Sequence, residues 1–259
     1  GQSNIVLVCP DIATCKDGLR ELFDPADRRY LYPFTNCTNC GPRLTIVRGA
    51  PYDRHLTTMS GFKMCEACQR EYDDPLNRRF HAQPTACENC GPEVFLFSSN
   101  QEPIKSADPL ADLAAELKTG KIAAIKGLGG YHLACDATNA AAVAELRRRK
   151  HRDDKPFAIM VRDTAMIESV CCVSQREMEA LTSPQRPIVI LQKRERLNLA
   201  EQVSPENPTL GVMLPYTPLH HLLLHHLGGS PLVMTSGNRS DEPIAYKDSD
   251  AFSQLAGIA

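Results

Sequence analysis

Beyond about residue 102 the apolar residues fall into segments that alternate between a helix period and a strand period, the pattern of a mixed α/β domain. The spacing predicts a helix over 110–118 ended by Gly120, a strand over 122–125 running into a glycine loop at 126–130, and a strand over 131–135. Asn139 caps an Ala-rich helix whose last turn carries Arg147, Arg148, Arg149 and Lys150, cations suited to the negative end of a helix. Further strands are expected over 156–161, 187–191 and 232–234. A capping box from Ser174 to Glu177 opens a helix that stops at Ser183-Pro184, and another helix over 218–227 stops at Gly228-Gly229. Before residue 102 long apolar periods are few and Gly-Pro and Asp-Pro turns punctuate the chain. Two domains follow, over 1–102 and 103–259.

Composition narrows the class. Of 259 residues, 42% are hydrophobic and 23% charged, which excludes a disordered or membrane-embedded chain. Basic residues number 29 against 31 acidic, so charge alone does not fit the chain to coat nucleic acid or an anionic membrane. The apolar run at 5–8 is too short for a signal-peptide core or a membrane span, so a cytoplasmic protein is expected. The first residue is Gly1 rather than methionine, which reads as an excised fragment.

Eleven cysteines carry the sharpest signal. Six stand in Cys-x-x-Cys pairs, and in a chain of this size without an export signal that pattern points to metal ligation rather than disulfides. They belong to an internal repeat with an offset of 50 residues, with copies at about 12–45 and 62–95. Cys15, Cys37 and Cys40 map onto Cys65, Cys87 and Cys90; Asp24-Pro25 maps onto Asp74-Pro75, Arg28-Arg29 onto Arg78-Arg79, and Gly41-Pro42 onto Gly91-Pro92. In the second copy Cys65, Cys68, Cys87 and Cys90 form two chelating knuckles able to place four thiolates around one zinc ion. Small modules with little core need such an ion to fold.

In the first copy Gly18 stands where Cys68 stands in the second, leaving Cys15, Cys37 and Cys40. Cys9 could supply the fourth ligand, water could, or the site could be empty; a retained but weaker zinc site is expected. Catalytic zinc sites combine histidine and carboxylate ligands with a positioned base, so both ions are read as structural. Repeat register also favours ligands over a redox pair.

In the second part the stretch 147–155 holds six Lys/Arg in nine positions. A solvated helix end would account for it. Joining a carboxylate to a polyphosphate also needs dense cations, because two anions must be held in contact while charge builds at phosphorus. The loop Lys126-Gly-Leu-Gly-Gly130 lacks the phosphate-loop pattern and by itself reads as a turn. His220, His221, His225 and His226 flank a Leu-rich helix face and are read as structural, His81 is not read as a ligand, and Cys135, Cys171 and Cys172 are expected to be buried and inert.

Taken together, the doubled finger with its Gly-Pro tails, Lys126-Gly-Leu-Gly-Gly-Tyr-His-Leu133, Lys150-His-Arg152 with Lys155-Pro156, Gly211-Val-Met-Leu-Pro-Tyr216 and Thr235-Ser-Gly-Asn238 resemble the HypF family, carbamoyltransferases of nickel-iron hydrogenase maturation. The second part resembles the YrdC-type fold, with a K-x-R, a following Lys and an S-x-N at Lys150, Arg152, Lys155, Ser236 and Asn238.

The resemblance implies an ATP-dependent enzyme. Carbamoyl phosphate is hydrolysed by an acylphosphatase-like domain, carbamate is adenylated at the YrdC-like domain with release of pyrophosphate, and a C-terminal domain passes the carbamoyl group to the terminal cysteine of HypE. This chain is expected to hold only the fingers and a YrdC-like domain truncated at its last strands, and to be incompletely active alone. By the same resemblance Lys126, Lys150, Arg152 and Lys155 hold triphosphate and carbamate oxygens, Ser236 and Asn238 bond the nucleotide or carbamate, Tyr131 and His132 line the pocket, and Mg2+ bridges phosphates.

Two other classes stand beside this one. A YrdC-type threonylcarbamoyl-adenylate synthase of tRNA modification would be expected to lack the doubled finger. A finger module that binds nucleic acid would need a basic face, yet 37–98 holds seven Lys/Arg against seven Asp/Glu. Fingers that dock neighbouring domains or HypE are compatible with the enzyme reading.

Overall fold

Cys15 and Cys65 each end an extended segment and open a helix of eight residues, α1 (Lys16–Phe23) and α2 (Glu66–Asp73). Asp24 and Asp74 close these helices in extended conformation at the Asp-Pro turns. The computed structural model describes residues 8–195, 198–240 and 242–259, so most of the apolar run at 5–8 lies outside the described residues. Its contacts divide the chain into two units, one of Gly1–Val94 with Tyr216–Leu219 and the other of Phe95–Pro215 with His220–Ala259.

In the finger unit the repeat extends to backbone detail. Leu31 and His81, equivalent by the 50-residue offset, both adopt left-handed φ, at 56° and 51°. Their amides bond back to Leu22 O and Tyr72 O at 2.9 and 3.0 Å. That geometry accounts for His81: it is a turn residue. The knuckles at 37–40 and 87–90 are tight turns closed by Cys40 N to Cys37 O and Cys90 N to Cys87 O. Between the copies lie short 3-10 turns. One buried cluster here consists of Tyr32, Met59 and Ala86, with Phe34, Ile46, Phe62 and Cys90 packed against it.

The sheet unit begins with a small hairpin, β1 (Leu96–Phe97) and β2 (Pro103–Ile104), and α3 (Pro109–Lys118), capped by Asp108. Then come β3 (Ala123–Lys126), β4 (Tyr131–Asp136), α4 (Ala140–Lys150), β5 (Ala158–Met160), α5 (Thr164–Val170), β6 (Cys171–Cys172), α6 (Gln175–Thr182), β7 (Val189–Lys193), β8 (Thr209–Met213), α7 (Pro218–His226), β9 (Leu232–Ser236) and α8 (Asp248–Gln254). Seven strands form one sheet in the order β3-β4-β9-β5-β8-β7-β6, with β5 parallel to β8 and the other neighbours antiparallel. The mixed α/β expectation holds.

The central strands are buried on both faces, as Ile159, Leu133, Val212 and Val233 show, and α4 lays Val143 and Leu146 against them. The predicted Asn139 cap and the Ser174–Glu177 capping box are both present. Four helices, α1, α2, α5 and α8, and four strands, β1, β2, β6 and β8, lie outside the elements the sequence pattern predicts; β1, β2 and β6 have two residues each. The helices have seven or eight residues, too few to display a period, and β8 contains Gly211. Cys135 and Cys171 are fully buried, but Cys172 is exposed, against expectation, because β6 is an edge strand whose alternate residue faces outward. Among the described residues no helix is long and apolar enough to cross a membrane.

Candidate functional site: a lysine-held turn and two cysteine clusters

Three pieces of the sheet unit meet at one end of the sheet. Antiparallel pairing sets His132 at the start of β4 opposite Ser236 at the end of β9, so the glycine loop before β4 and the Thr-Ser-Gly-Asn turn after β9 lie side by side. Gly237 makes this close approach possible. Its amide donates to Tyr131 O at 2.7 Å, and a Cβ there would lie 2.6 Å from the same oxygen. Gly127 and Gly129 fold the other loop, Gly127 N donating to Gly130 O and Gly129 taking φ 80°.

The third piece is the end of α4. Its C-cap, His151, is left-handed, and the chain turns away beneath it. Lys150, the last helical residue, is 1% exposed, and its Nζ donates to Ser236 O at 2.6 Å, Asn238 O at 2.6 Å and Asn238 Oδ1 at 2.8 Å. An ammonium has three N–H donors, and three oxygens take them. Ser236 Oγ also donates to Asn238 Oδ1, and Ser240 Oγ donates to Lys150 O. Burial, followed by the charge of Arg152, pushes the Lys150 ammonium down to about 8. The structure therefore brings Lys150, Ser236 and Asn238 together, with His132 beside Ser236 in the sheet. Burial also lowers His132, favouring its neutral ring.

Lys126 and Tyr131 form a neighbouring group around a residue that sequence reading missed. Asp248, at the start of α8, accepts from Lys126 Nζ at 2.5 Å and from Tyr131 OH at 2.6 Å. These bonds lower the carboxyl, while burial and then the Asp248 contact raise the Tyr131 phenol. Arg152 and Lys155 lie in the loop after α4. Arg152 donates to Lys155 O and Pro156 O and stacks 5.2 Å from the Phe157 ring centre; the Lys155 side chain is exposed. Arg147 pins this loop, donating to Arg152 O, Asp153 O and Lys155 O. The cation-rich run is thus the last turn of α4 followed by a built loop. His220 is buried and His221 partly buried, and burial is the chief cause that lowers them to about 3 and about 4, which keeps both rings neutral.

In the finger unit Cys65, Cys68, Cys87 and Cys90 place four sulfurs within 4.8 Å of one another, with separations of 3.8 Å for Cys65–Cys87, 3.8 Å for Cys87–Cys90 and 3.6 Å for Cys68–Cys90. Zn–S bonds of about 2.3 Å in a tetrahedron demand S···S edges of about 3.8 Å. The donor set fits zinc. Cys15, Cys37 and Cys40 form a second cluster with separations of 3.8 and 3.6 Å, three corners of the same figure. Cys9 is exposed and outside it.

Arginines serve these clusters across the repeat. Arg28 and Arg29 of the first copy donate to Cys68 Sγ at 3.0 and 3.5 Å, and Arg78 of the second copy donates to Cys15 and Cys37, both at 3.2 Å. Their signal in the sequence is the repeated Arg-Arg pair, which fixes the register of the copies but does not name the sulfurs it meets.

Comparison with known proteins accords with both halves. Residues 14–47 and 64–97 match the HypF finger, and residues 115–259 match the Sua5/YciO/YrdC family, described as telomere recombination. The carbamoyltransferase HypF of Synechocystis sp. is 53% identical over 253 residues, covering 97% of this chain and 33% of that protein. A crystal structure of full-length HypF in the phosphate- and nucleotide-bound form superposes with a TM-score of 0.94 at 50% identity, covering 100% of this chain and 34% of the other. The structure of T. kodakarensis HypF gives a TM-score of 0.95 at 50% identity, covering 99% and 34%. The chain spans about a third of the length of the curated relatives it matches. It belongs to the Sua5/YciO/YrdC family, joined to a tandem of HypF fingers.

Proposed function

We propose that this chain is the finger and adenylating portion of a HypF-type carbamoyltransferase, with a finger domain over 1–102 and a YrdC-like domain over 103–259. The YrdC-like domain binds Mg-ATP and carbamate. A carbamate oxygen attacks the α-phosphorus, the bond to the β-phosphate oxygen breaks, and carbamoyl-adenylate and pyrophosphate are formed. In the whole protein an acylphosphatase-like domain supplies carbamate from carbamoyl phosphate, and a further domain delivers the carbamoyl group to the terminal cysteine of HypE. Two zinc ions hold the fingers, and the protein works in the cytoplasm, without nucleic acid or membrane as partner.

No protein nucleophile is needed, because positioning and charge suffice for this displacement. Lys126, Arg152 and Lys155 are assigned to phosphate and carbamate oxygens. Ser236 and Asn238 bond the nucleotide or carbamate, with Tyr131 and His132 lining the site and Mg2+ neutralising phosphate charge when bound. Lys150 belongs to the site as the group that fixes the Ser236–Asn238 turn. That bond set, between positions 86 and 88 residues apart, is the observation that carries the reading.

The reading is tested by carbamate-dependent exchange of labelled pyrophosphate into ATP. Exchange that needs carbamate and is lost in Arg152→Ala supports it; exchange driven instead by threonine with bicarbonate would move the chain to the threonylcarbamoyl-adenylate class.

A further inference from the structure

The two finger copies are unequal in one respect that the chemistry of zinc makes consequential. Gly18 occupies the place of Cys68, and a Cβ built on it would lie 3.6 Å from Cys15 Sγ, 3.7 Å from Cys40 Sγ and 3.3 Å from the Thr14 methyl. A fourth ligand would enter from this side. Among the described residues no histidine, carboxylate or further cysteine joins Cys15, Cys37 and Cys40, and residues 1–7 contain none of these types. The three sulfurs nonetheless keep the edge lengths of a tetrahedron, 3.8 and 3.6 Å, close to those of the four-sulfur cluster.

The arginines differ in step. At the cluster of the second copy Arg28 and Arg29 both donate to Cys68, the ligand that the first copy lacks. At the cluster of the first copy Arg78 is the one arginine among the described residues that donates to sulfur, and it reaches Cys15 and Cys37; Arg79, the equivalent of Arg29, gives its N–H groups to Asn36 O and Glu21. One thiolate fewer is matched by one guanidinium fewer. Since its counterpart Arg28 donates to the fourth ligand, Arg78 stands where an anion bound at the fourth corner would meet a donor.

We infer that the first finger is an open zinc site: Cys15, Cys37 and Cys40 hold the ion, and its fourth position, beside Gly18 and Arg78, exchanges water for a small thiolate from solution. This rests on the zinc reading of the fingers. A soft, thiolate-rich zinc centre favours sulfur as its added ligand, and glycine leaves room there.

Cobalt(II) replacing zinc in the full 259-residue chain reports the outcome through its sulfur-to-metal absorption. Expected are two cobalt ions per chain, one of which gains absorption when 2-mercaptoethanol is added and loses its metal to a chelator about tenfold or more sooner than the other. Gly18→Cys should abolish the response to the thiol, and Cys68→Gly should confer it on the second site. One ion per chain, rising to two in Gly18→Cys, would overturn the inference by showing the first site empty. Two ions without any response to thiol would overturn it by showing the corner closed. No metal at either site would instead bring down the zinc reading itself.

Discussion

Arg29 of the first repeat and Glu71 of the second are joined by two N–H···O contacts, at 2.5 and 3.2 Å, and the same pair is repeated in reverse between Arg79 and Glu21. Arg29 Nε donates to Ala86 O and Arg79 Nε donates to Asn36 O, again related by the 50-residue offset. The copies therefore embrace as the two halves of an isologous dimer would, each inserting a buried arginine into the other. This exchange and the two cysteine clusters tie the copies to one another.

Removing Glu71 leaves the 1%-exposed Arg29 guanidinium without its carboxylate partner. Breaking a buried ion pair from one side costs about 3–5 kcal/mol. Glu71→Ala should therefore raise amide hydrogen exchange across the finger unit of the zinc-loaded chain by orders of magnitude, with amides of the seven-stranded sheet little changed. Uniform protection in both units of the variant would show that the metals alone hold the fingers together.

Acid acts on the same contact. Burial alone would raise the Glu71 carboxyl, but hydrogen bonds from Arg28 and Arg29 prevail and hold it at about 2, below its ordinary 4.5. A carboxyl depressed on folding contributes stability that is complete above the unfolded value and is lost as pH falls towards the folded one. Glu71→Gln should therefore flatten the acid limb between about 4.5 and about 2, measured at fixed metal loading by circular dichroism. If wild type and variant lose structure in parallel, thiolate protonation and metal release set the acid limit instead.

The repeat made the cysteine clusters legible, because ligand spacing is a local property of sequence. The cross-copy arginines were not, since nothing in Arg28-Arg29 says which sulfur each will meet; only the pseudo-twofold packing decides that. In the sheet unit long periods revealed the major helices, and the cap at Asn139 and the box at Ser174 were visible as side-chain chemistry. Asp248 escaped because its helix α8 has seven residues and its partners Lys126 and Tyr131 are more than a hundred positions away. Lys150 was legible as a cation and not as a buried one, for its burial depends on where β9 ends.

Gly237 sets how closely the two loops approach. A methyl group there would sit 2.6 Å from Tyr131 O and 2.7 Å from Tyr131 Cβ, contacts that only a shift of backbone relieves. Overpacking of this kind costs about 1–3 kcal/mol. Gly237→Ala should fold with a lowered melting temperature and bind Mg-ATP at least about tenfold more weakly by calorimetry, since ~1.4 kcal/mol is a factor of ten. Unaltered affinity would place the nucleotide away from this turn.

Lys150 makes the most specific prediction, because its charge can be removed by mutation and by pH. Lys150→Met keeps most of the buried stem but removes the donor that joins Ser236 O, Asn238 O and Asn238 Oδ1; Asn238 N and Ser236 Oγ still serve the first and the third, and Asn238 O loses its donor. An unsatisfied polar group of this kind costs about 1–3 kcal/mol, so the Ser236–Asn238 turn should rearrange and Mg-ATP affinity should fall by about tenfold or more at neutral pH. Raising pH does the same more gently. Above about 8 the amine is neutral and offers two N–H groups to three oxygens, so wild-type affinity should decline through that value. Stability runs the other way. The folded value lies below the ordinary 10.5, so between about 8 and about 10.5 the unfolded chain binds more protons, and this group's contribution to stability rises with pH. Affinity falling while this contribution to stability rises is a combination that general alkaline unfolding does not produce. Calorimetric titration across that range, paired with melting curves of wild type and Lys150→Met, separates the two, and an affinity profile identical in both proteins would remove Lys150 from control of the site.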